Sequence, residues 1–333
     1  MDANAYRSCL LCPRACGVDR TAGEIGVCRV GSELRVARAA LHPWEEPCLV
    51  GDKGSGAVFF SGCGLGCVYC QNRAISRGEA GAAISVGRLS EIFLELQEAG
   101  AANINLVTGT QFVPSILVSL ASAKERGLSL PVVWNTGGYE SEATLDALSG
   151  AVDIFLPDLK YATNETAREY SRAPDYPAVA LSAIEKMLSI SGAPVFSDDG
   201  RLKRGTVVRL LLLPGRLLEA KTALTRVFRL CGNRVIYSLM RQYTPQPGLP
   251  SPLDRRVTDR EYSSLVDHAV SLGIERGYTQ DKDCAEESFI PAFDLTGVLP
   301  EPSGASNRKT YRTANRSDLG TKRYGRNRKE PNL

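Results

Sequence analysis

Six times along the middle of the chain, a short apolar run gives way to a stretch whose apolar positions recur every three or four residues. Runs of four to eight apolar residues suit buried strands, and three-and-four spacing suits amphipathic helices. The predicted strands are Val58–Ser61, Asn103–Val107, Val132–Trp134, Asp153–Leu156, Thr206–Leu213 and Val235–Met240. The helix after the first carries Leu89, Ile92, Phe93, Leu96 and Ala99 and stops at Gly100. The second carries Ile116, Leu117, Leu120 and Ala123, between Pro114 and Gly127. A short third is capped by Ser141 and Gly150, and a longer fourth shows Tyr176, Val179, Ala180, Ala183, Ile184, Met187 and Leu188 on one face. The fifth shows Ala220, Ala223, Leu224 and Val227; the last opens on the capping box Thr258-x-x-Glu261. Strand then helix, repeated, predicts an α/β fold of parallel strands with reactive residues at their carboxyl ends.

Composition changes the picture in two places. Eight of the ten cysteines precede Leu89 in tight spacings, which suits metal ligands in a reducing cytoplasm better than disulfides. The opening MDANAYRSCLLCPR has no apolar signal core, and no run is long enough to span a bilayer, so a cytoplasmic protein with no membrane partner is expected. The net charge of +3 is carried by the end of the chain. Residues 301–333 hold nine Lys or Arg against Glu301, Asp318 and Glu330, so the body is mildly acidic. That stretch is Gly/Ser/Asn-rich without apolar period, and it reads as a disordered, solvated tail rather than a nucleic-acid arm.

The densest chemistry lies in VFFSGCGLGCVYCQN, residues 58–72, where Cys63, Cys67 and Cys70 make C-x3-C-x2-C directly after a strand. Three thiolates hold three corners of a 4Fe–4S cube and leave the fourth iron open for chemistry. Gly62, Gly64 and Gly66 let the backbone turn closely, and Tyr69 places a ring beside the last cysteine. Spacing, aromatic and strand resemble the radical S-adenosylmethionine (SAM) superfamily. The resemblance implies a partial (β/α)6 barrel and SAM bound at the open iron. It also implies reductive cleavage of SAM to methionine and a 5′-deoxyadenosyl radical, which takes hydrogen from a substrate.

The strand ends extend the resemblance towards pyruvate formate-lyase activating enzyme and its uncharacterised relatives. Thr108-Gly109-Thr110 stands where that family binds the SAM amino group, and Asn135-Thr136-Gly137 stands where its third strand ends. Pro157-Asp158-Leu159-Lys160 matches its D-x-K. By that resemblance Lys160 pairs with the SAM carboxylate, while Asp158, Asn135 and Thr136 lie near the methionine end, around a monovalent cation. Arg209, in the fifth strand, must reach the barrel mouth or pair with an acid. Gln242 or Tyr243 takes the place of the family's histidine, and His268 reads as a surface residue. The resemblance implies reduced flavodoxin or ferredoxin as electron donor, and either a protein or a small molecule as substrate.

In front of the barrel, Cys9, Cys12, Cys16 and Cys28 form C-x2-C-x3-C-x11-C, a set that suits zinc or an auxiliary iron–sulfur cluster. The chain therefore divides into a metal-binding segment 1–57, a core barrel 58–300 and a tail 301–333. Glu45 and Glu46 are adjacent carboxylates that cannot both point one way on a strand, so one is expected in the pocket and the other in solvent. Either reads as a proton donor, a substrate contact or an ordinary loop carboxylate. A non-catalytic metal module that binds nucleic acid and a two-cluster electron carrier are the rival readings.

Overall fold

The structure is a computed structural model that describes residues 3–281, 284 and 291–300, and the backbone of 321–324. The expectation of a disordered tail falls mainly on 301–320 and 325–333, which lie outside the described residues. Strand β1 (Arg35–His42) runs antiparallel to β2 (Ser55–Phe60), and β3 (Ala82–Ala83) pairs with its far side. From β2 the sheet continues in parallel through β4 (Ile104–Val107), β5 (Val132–Thr136) and β6 (Ile154–Pro157). It then passes to β8 (Leu202–Leu211), β9 (Ile236–Met240) and β10 (Gly277–Gln280), with β7 (Val195–Phe196) a short antiparallel addition to β8. Strand β11 (Thr321–Tyr324) closes the order by pairing antiparallel with β10. Among the described residues β2 and β10 do not pair with each other, so the barrel stays open.

The six expected parallel strands are all present, with shifted ends. The first begins at Ser55 instead of Val58, because Ser55-Gly56-Ala57 is too small to read as an apolar run. Its smallness has a cause: a Cβ on Gly56 would stand 2.7 Å from the Asn103 carbonyl oxygen of the neighbouring strand. The seventh parallel strand, β10, reads Gly-Tyr-Thr-Gln and carried no apolar signal.

Helices α1 (Pro47–Val50) and α2 (Arg73–Ser76) are single turns. Outside the sheet lie α3 (Val86–Glu98), α4 (Val113–Glu125), α5 (Glu142–Leu148), α6 (Asn164–Ser171), α7 (Tyr176–Ser191), α8 (Leu217–Cys231) and α9 (Asp259–Leu272). Thr258 and Glu261 form the expected capping box of α9. Helix α6 was not predicted, since it buries only Thr166, Ala167, Tyr170 and Ser171. Glu219 anchors its approach by accepting the N–H groups of Ala162 and Thr163 at 2.7 and 2.8 Å.

Alternation along the strands sorts residues to the two sides of the sheet. Val58, Phe60, Leu106, Trp134 and Phe155 face the helices in one large core. Val133, Ile154, Leu156, Val207 and Ile236 share a smaller buried cluster with Cys48 and Leu49 of α1. The segment after β1 therefore plugs the interior with apolar side chains, and the polar residues of the next turn of each strand lie above it. Leu49 is 1% exposed. Leu49→Ala is expected to cost about 2–5 kcal/mol, read as a lower denaturant midpoint with an unchanged slope.

Candidate functional site

The loop after β2 carries Cys63, Cys67 and Cys70, and all three line one cavity of about 790 Å³. Gly62 permits the turn: its φ is +87°, and a Cβ there would meet the Cys28 carbonyl oxygen at 2.7 Å. The loop is held from below by tyrosines. Val68 N–H donates to the Tyr170 carbonyl at 2.9 Å, and the Tyr69 ring packs edge-on against Tyr161, Tyr170 and Tyr243. Tyr161 donates its hydroxyl to Tyr69 at 2.9 Å, and Ser171 donates to the Cys67 sulfur at 2.9 Å. Burial, with the neighbouring sulfurs, pushes the Cys70 thiol up to about 12. Burial also raises Cys63, against the pull of the Gly66 and Leu65 backbone N–H groups.

Across the cavity the strands present Asn135, Asp158 and Arg209 in one layer. Arg209 donates to Asp158 at 2.8 Å, to Asn135 at 2.6 Å and to Glu45 at 3.4 Å. Lys160 donates to the other Asp158 oxygen at 2.6 Å. Burial alone would raise the Asp158 carboxyl, but Arg209 and Lys160 outweigh it and hold it below the usual range. Arg209 thus pairs with acids within the barrel, one of the two outcomes expected for it.

Several expectations are corrected here. Both oxygens of Asp158 are taken by protein cations, and the Thr136 hydroxyl donates to Glu140. Glu45 and Glu46 both line the cavity and neither faces solvent; they sit on an irregular bend before α1, where strand alternation does not apply. Thr108, at φ +58°, lies in the wall, but Gly109 turns to the core, where a Cβ would stand 2.7 Å from Ile116 and 3.0 Å from Trp134. Gln242 reaches the cavity and accepts from Gln280 at 2.7 Å, whereas buried Tyr243 donates to the Leu253 carbonyl. His268 is half-buried between α8 and α9, 2.8 Å from the Thr225 hydroxyl.

The four N-terminal cysteines line a second, small cavity of about 40 Å³ that borders Cys63 and Gly64. A Cβ on Gly26 would stand 3.3 Å from the Cys16 sulfur and 3.4 Å from that of Cys28. Arg14 ties this segment to the cluster loop by donating to the Gly64 carbonyl at 2.8 Å and the Ser171 carbonyl at 2.7 Å. Arg20, 1% exposed, donates to the Gln111 carbonyl at 2.6 Å and packs on the rings of Tyr6 and Phe112. Among the described residues no three His, Cys, Asp or Glu side chains are drawn tightly enough together to hold a single ion. None of the ten cysteines is in a disulfide.

The family model described as the radical SAM superfamily matches residues 57–216. That stretch is similar to a radical SAM domain. That superfamily implies a 4Fe–4S cluster and SAM. The donor set around the cavity fits both groups: three thiols on one glycine-bearing loop for iron, and facing them polar side chains with a lysine for an amino acid. An uncharacterized protein of Methanocaldococcus jannaschii is 31% identical over 180 residues, 52% of this chain and 51% of that protein. The chain thus spans about half the length of the curated relative it matches. Two crystal structures of Streptococcus suis SuiB, one bound to precursor peptide SuiA, have TM-scores of 0.43 and 0.47 to the chain. Each is 12% identical and covers 67% of this chain, and 48% and 47% of those chains are covered. No helix among the described residues is long and apolar enough to cross a membrane.

Sequence reasoning missed Ser171 and Arg14, which reach the cysteine loop from distant parts of the chain, and Glu140, buried beside Thr136. Glu140 is buried and accepts from Thr110, Trp134 and Thr136 through one oxygen, while its other oxygen has no partner. Burial pushes its carboxyl from 4.5 to about 7, against those three donors. The folded state then keeps a proton that the unfolded chain releases. Stability from this group is full below pH 4.5 and is lost as pH rises to about 7. The loss is about 3 kcal/mol, and Glu140→Gln is expected to flatten that slope in denaturant titrations across the same window.

Proposed function

We propose that the chain is a radical SAM enzyme whose cluster is held by Cys63, Cys67 and Cys70. SAM and the substrate share the adjoining cavity. The observation that carries this reading is that the three loop thiols and the polar strand ends line the same cavity, although they come from elements far apart in sequence. Bound there, the cluster supplies the electron that splits SAM, and SAM supplies the group that takes a hydrogen atom from the substrate.

The chain's own residues do the holding. Lys160, buried beside Asp158, presents an ammonium to the SAM carboxylate, a point charge that can swing from one anion to the other. Asp158, Asn135 and Arg209 position that lysine through their ion pairs and hydrogen bonds. Thr108 and Tyr69 wall the cavity on the loop side. Gly109 lets the turn that carries Thr108 approach Trp134. The Ser171 hydroxyl, donating to Cys67, tempers the charge on a sulfur that binds iron.

The D-x-K on β6 and the arginine on β8 support a relationship to pyruvate formate-lyase activating enzyme. By that relationship the substrate is a glycine in a partner protein, and reduced flavodoxin or ferredoxin delivers the electron. Cys9, Cys12, Cys16 and Cys28 hold a second metal centre, zinc or an auxiliary cluster, packed against the loop by Arg14. Metal analysis of protein isolated without oxygen separates the two: zinc, or iron and sulfide beyond one cube.

The test is anaerobic reconstitution with iron and sulfide, then SAM and dithionite, with chromatography of the nucleoside products. Wild type is expected to form 5′-deoxyadenosine. Cys67→Ala should form none while keeping its far-ultraviolet circular dichroism, and cleavage by that variant removes the reading. Lys160→Met should weaken SAM binding by tenfold or more in equilibrium titration. An unchanged affinity takes the carboxylate from Lys160.

A further inference from the structure

Below the Asp158 layer, the cavity floor is made by Glu45 and Glu46, on the bend that leads into the apolar plug of α1. Glu45 is committed: it accepts from Asn105 at 3.0 Å, from Asn135 at 3.2 Å and from Arg209 at 3.4 Å. Glu46 is committed only in part: the Arg209 charge and the Ser238 hydroxyl act on its carboxylate. It is 6% exposed, it lines the cavity, and its Oε2 has no hydrogen-bond partner. A buried carboxylate oxygen without a donor is costly unless something else supplies one. Around Glu46 the wall carries three carboxylates, Glu45, Glu46 and Asp158, against two cations, Lys160 and Arg209. Both cations are already paired with carboxylates of that set.

We propose that Glu46 is the anchor for a protonated amine or guanidinium of the substrate. This rests on the radical SAM reading of the same cavity and goes beyond it by naming the substrate's charge. An ammonium brings three donors and one positive charge, which is what an unpartnered carboxylate oxygen in a surplus of acids lacks. Phe59 lines the same cavity, and its apolar surface suits an alkyl chain. His42 also lines the wall, and burial together with Arg38 lowers it to about 4, so it stays neutral and does not repel a cation. Without the cation, burial and the Glu45 charge outweigh the pull of Arg209 and push the Glu46 carboxyl up to about 7, so that near neutral pH a proton occupies the place of the missing charge part of the time. A substrate ammonium replaces that proton, with its release to solvent and no change in oxidation state.

SAM has an ammonium and a sulfonium of its own, and the experiment separates that source from the substrate. The reconstituted full chain, saturated with SAM, is titrated with n-butylammonium at constant ionic strength, with n-butanol and butyrate as neutral and anionic controls. Binding is read from the concentration dependence of Tm. Butylammonium alone is expected to raise Tm. Its dissociation constant should rise tenfold or more in Glu46→Gln and be partly recovered in Glu46→Asp. Equal protection by butanol, or wild-type ammonium affinity in Glu46→Gln, overturns the proposal. So does a tenfold loss of SAM affinity in Glu46→Gln, which assigns the carboxylate to SAM. Formation of 5′-deoxyadenosine by the same preparation keeps the two readings apart. Cleavage without ammonium binding overturns only the amine subsite, and ammonium binding without cleavage keeps the subsite but removes the enzyme reading.

Discussion

A guanidinium enclosed by a barrel must be neutralised where it stands, and much of this interior is arranged around that need. Arg209 projects from β8 within the apolar run 207–211. Its charge draws Asp158 from β6 and Glu45 from the bend after β1, and it takes a hydrogen bond to Asn135 on β5. Asp158 in turn fixes Lys160. One charge therefore sets the positions of four side chains from three parts of the chain. Such an arrangement contributes little net stability, because desolvating the ions offsets their attraction. What it supplies is fixed orientation of the charged groups on the cavity wall.

The opposite wall depends on the same economy of buried polar groups. The loop with Cys63, Cys67 and Cys70 has no regular structure to satisfy its backbone, so distant residues do it. Gln111 donates to the carbonyls of Ser61 and Gly62, Arg14 to that of Gly64, and Ile75 accepts from Gly62 N–H. The N-terminal segment is thus part of the loop's support. Its small cavity shares Cys63 and Gly64 with the loop, which places any centre held by the four N-terminal cysteines next to the cluster loop and not on a separate lobe.

Legibility followed the range of the interactions. The parallel strands β2, β4, β5, β6, β8 and β9 were visible because burial on both faces leaves continuous apolar runs. The capping box of α9 was visible because it is completed within four residues. Strand β10 and helix α6 were not, because one pairs through its backbone and the other packs by few small contacts. Glu45 and Glu46 were readable as acids near the site, but the rule of alternation sent one outward. The bend they occupy is set by the plug that follows it, and nothing local announces that.

Taken alone, the residue order determined the three-thiol loop, the strand that presents it and the strand-end positions of Asp158 and Lys160, since each depends on spacing within a few residues. Tertiary structure decided which polar atoms meet: that Arg209 occupies Asp158 and Glu45, that Thr136 turns to Glu140, and that one oxygen of Glu46 is left bare. Those outcomes turn on buried charges and donors finding partners across as many as 164 residues of chain. Sequence periodicity carries no record of such pairings.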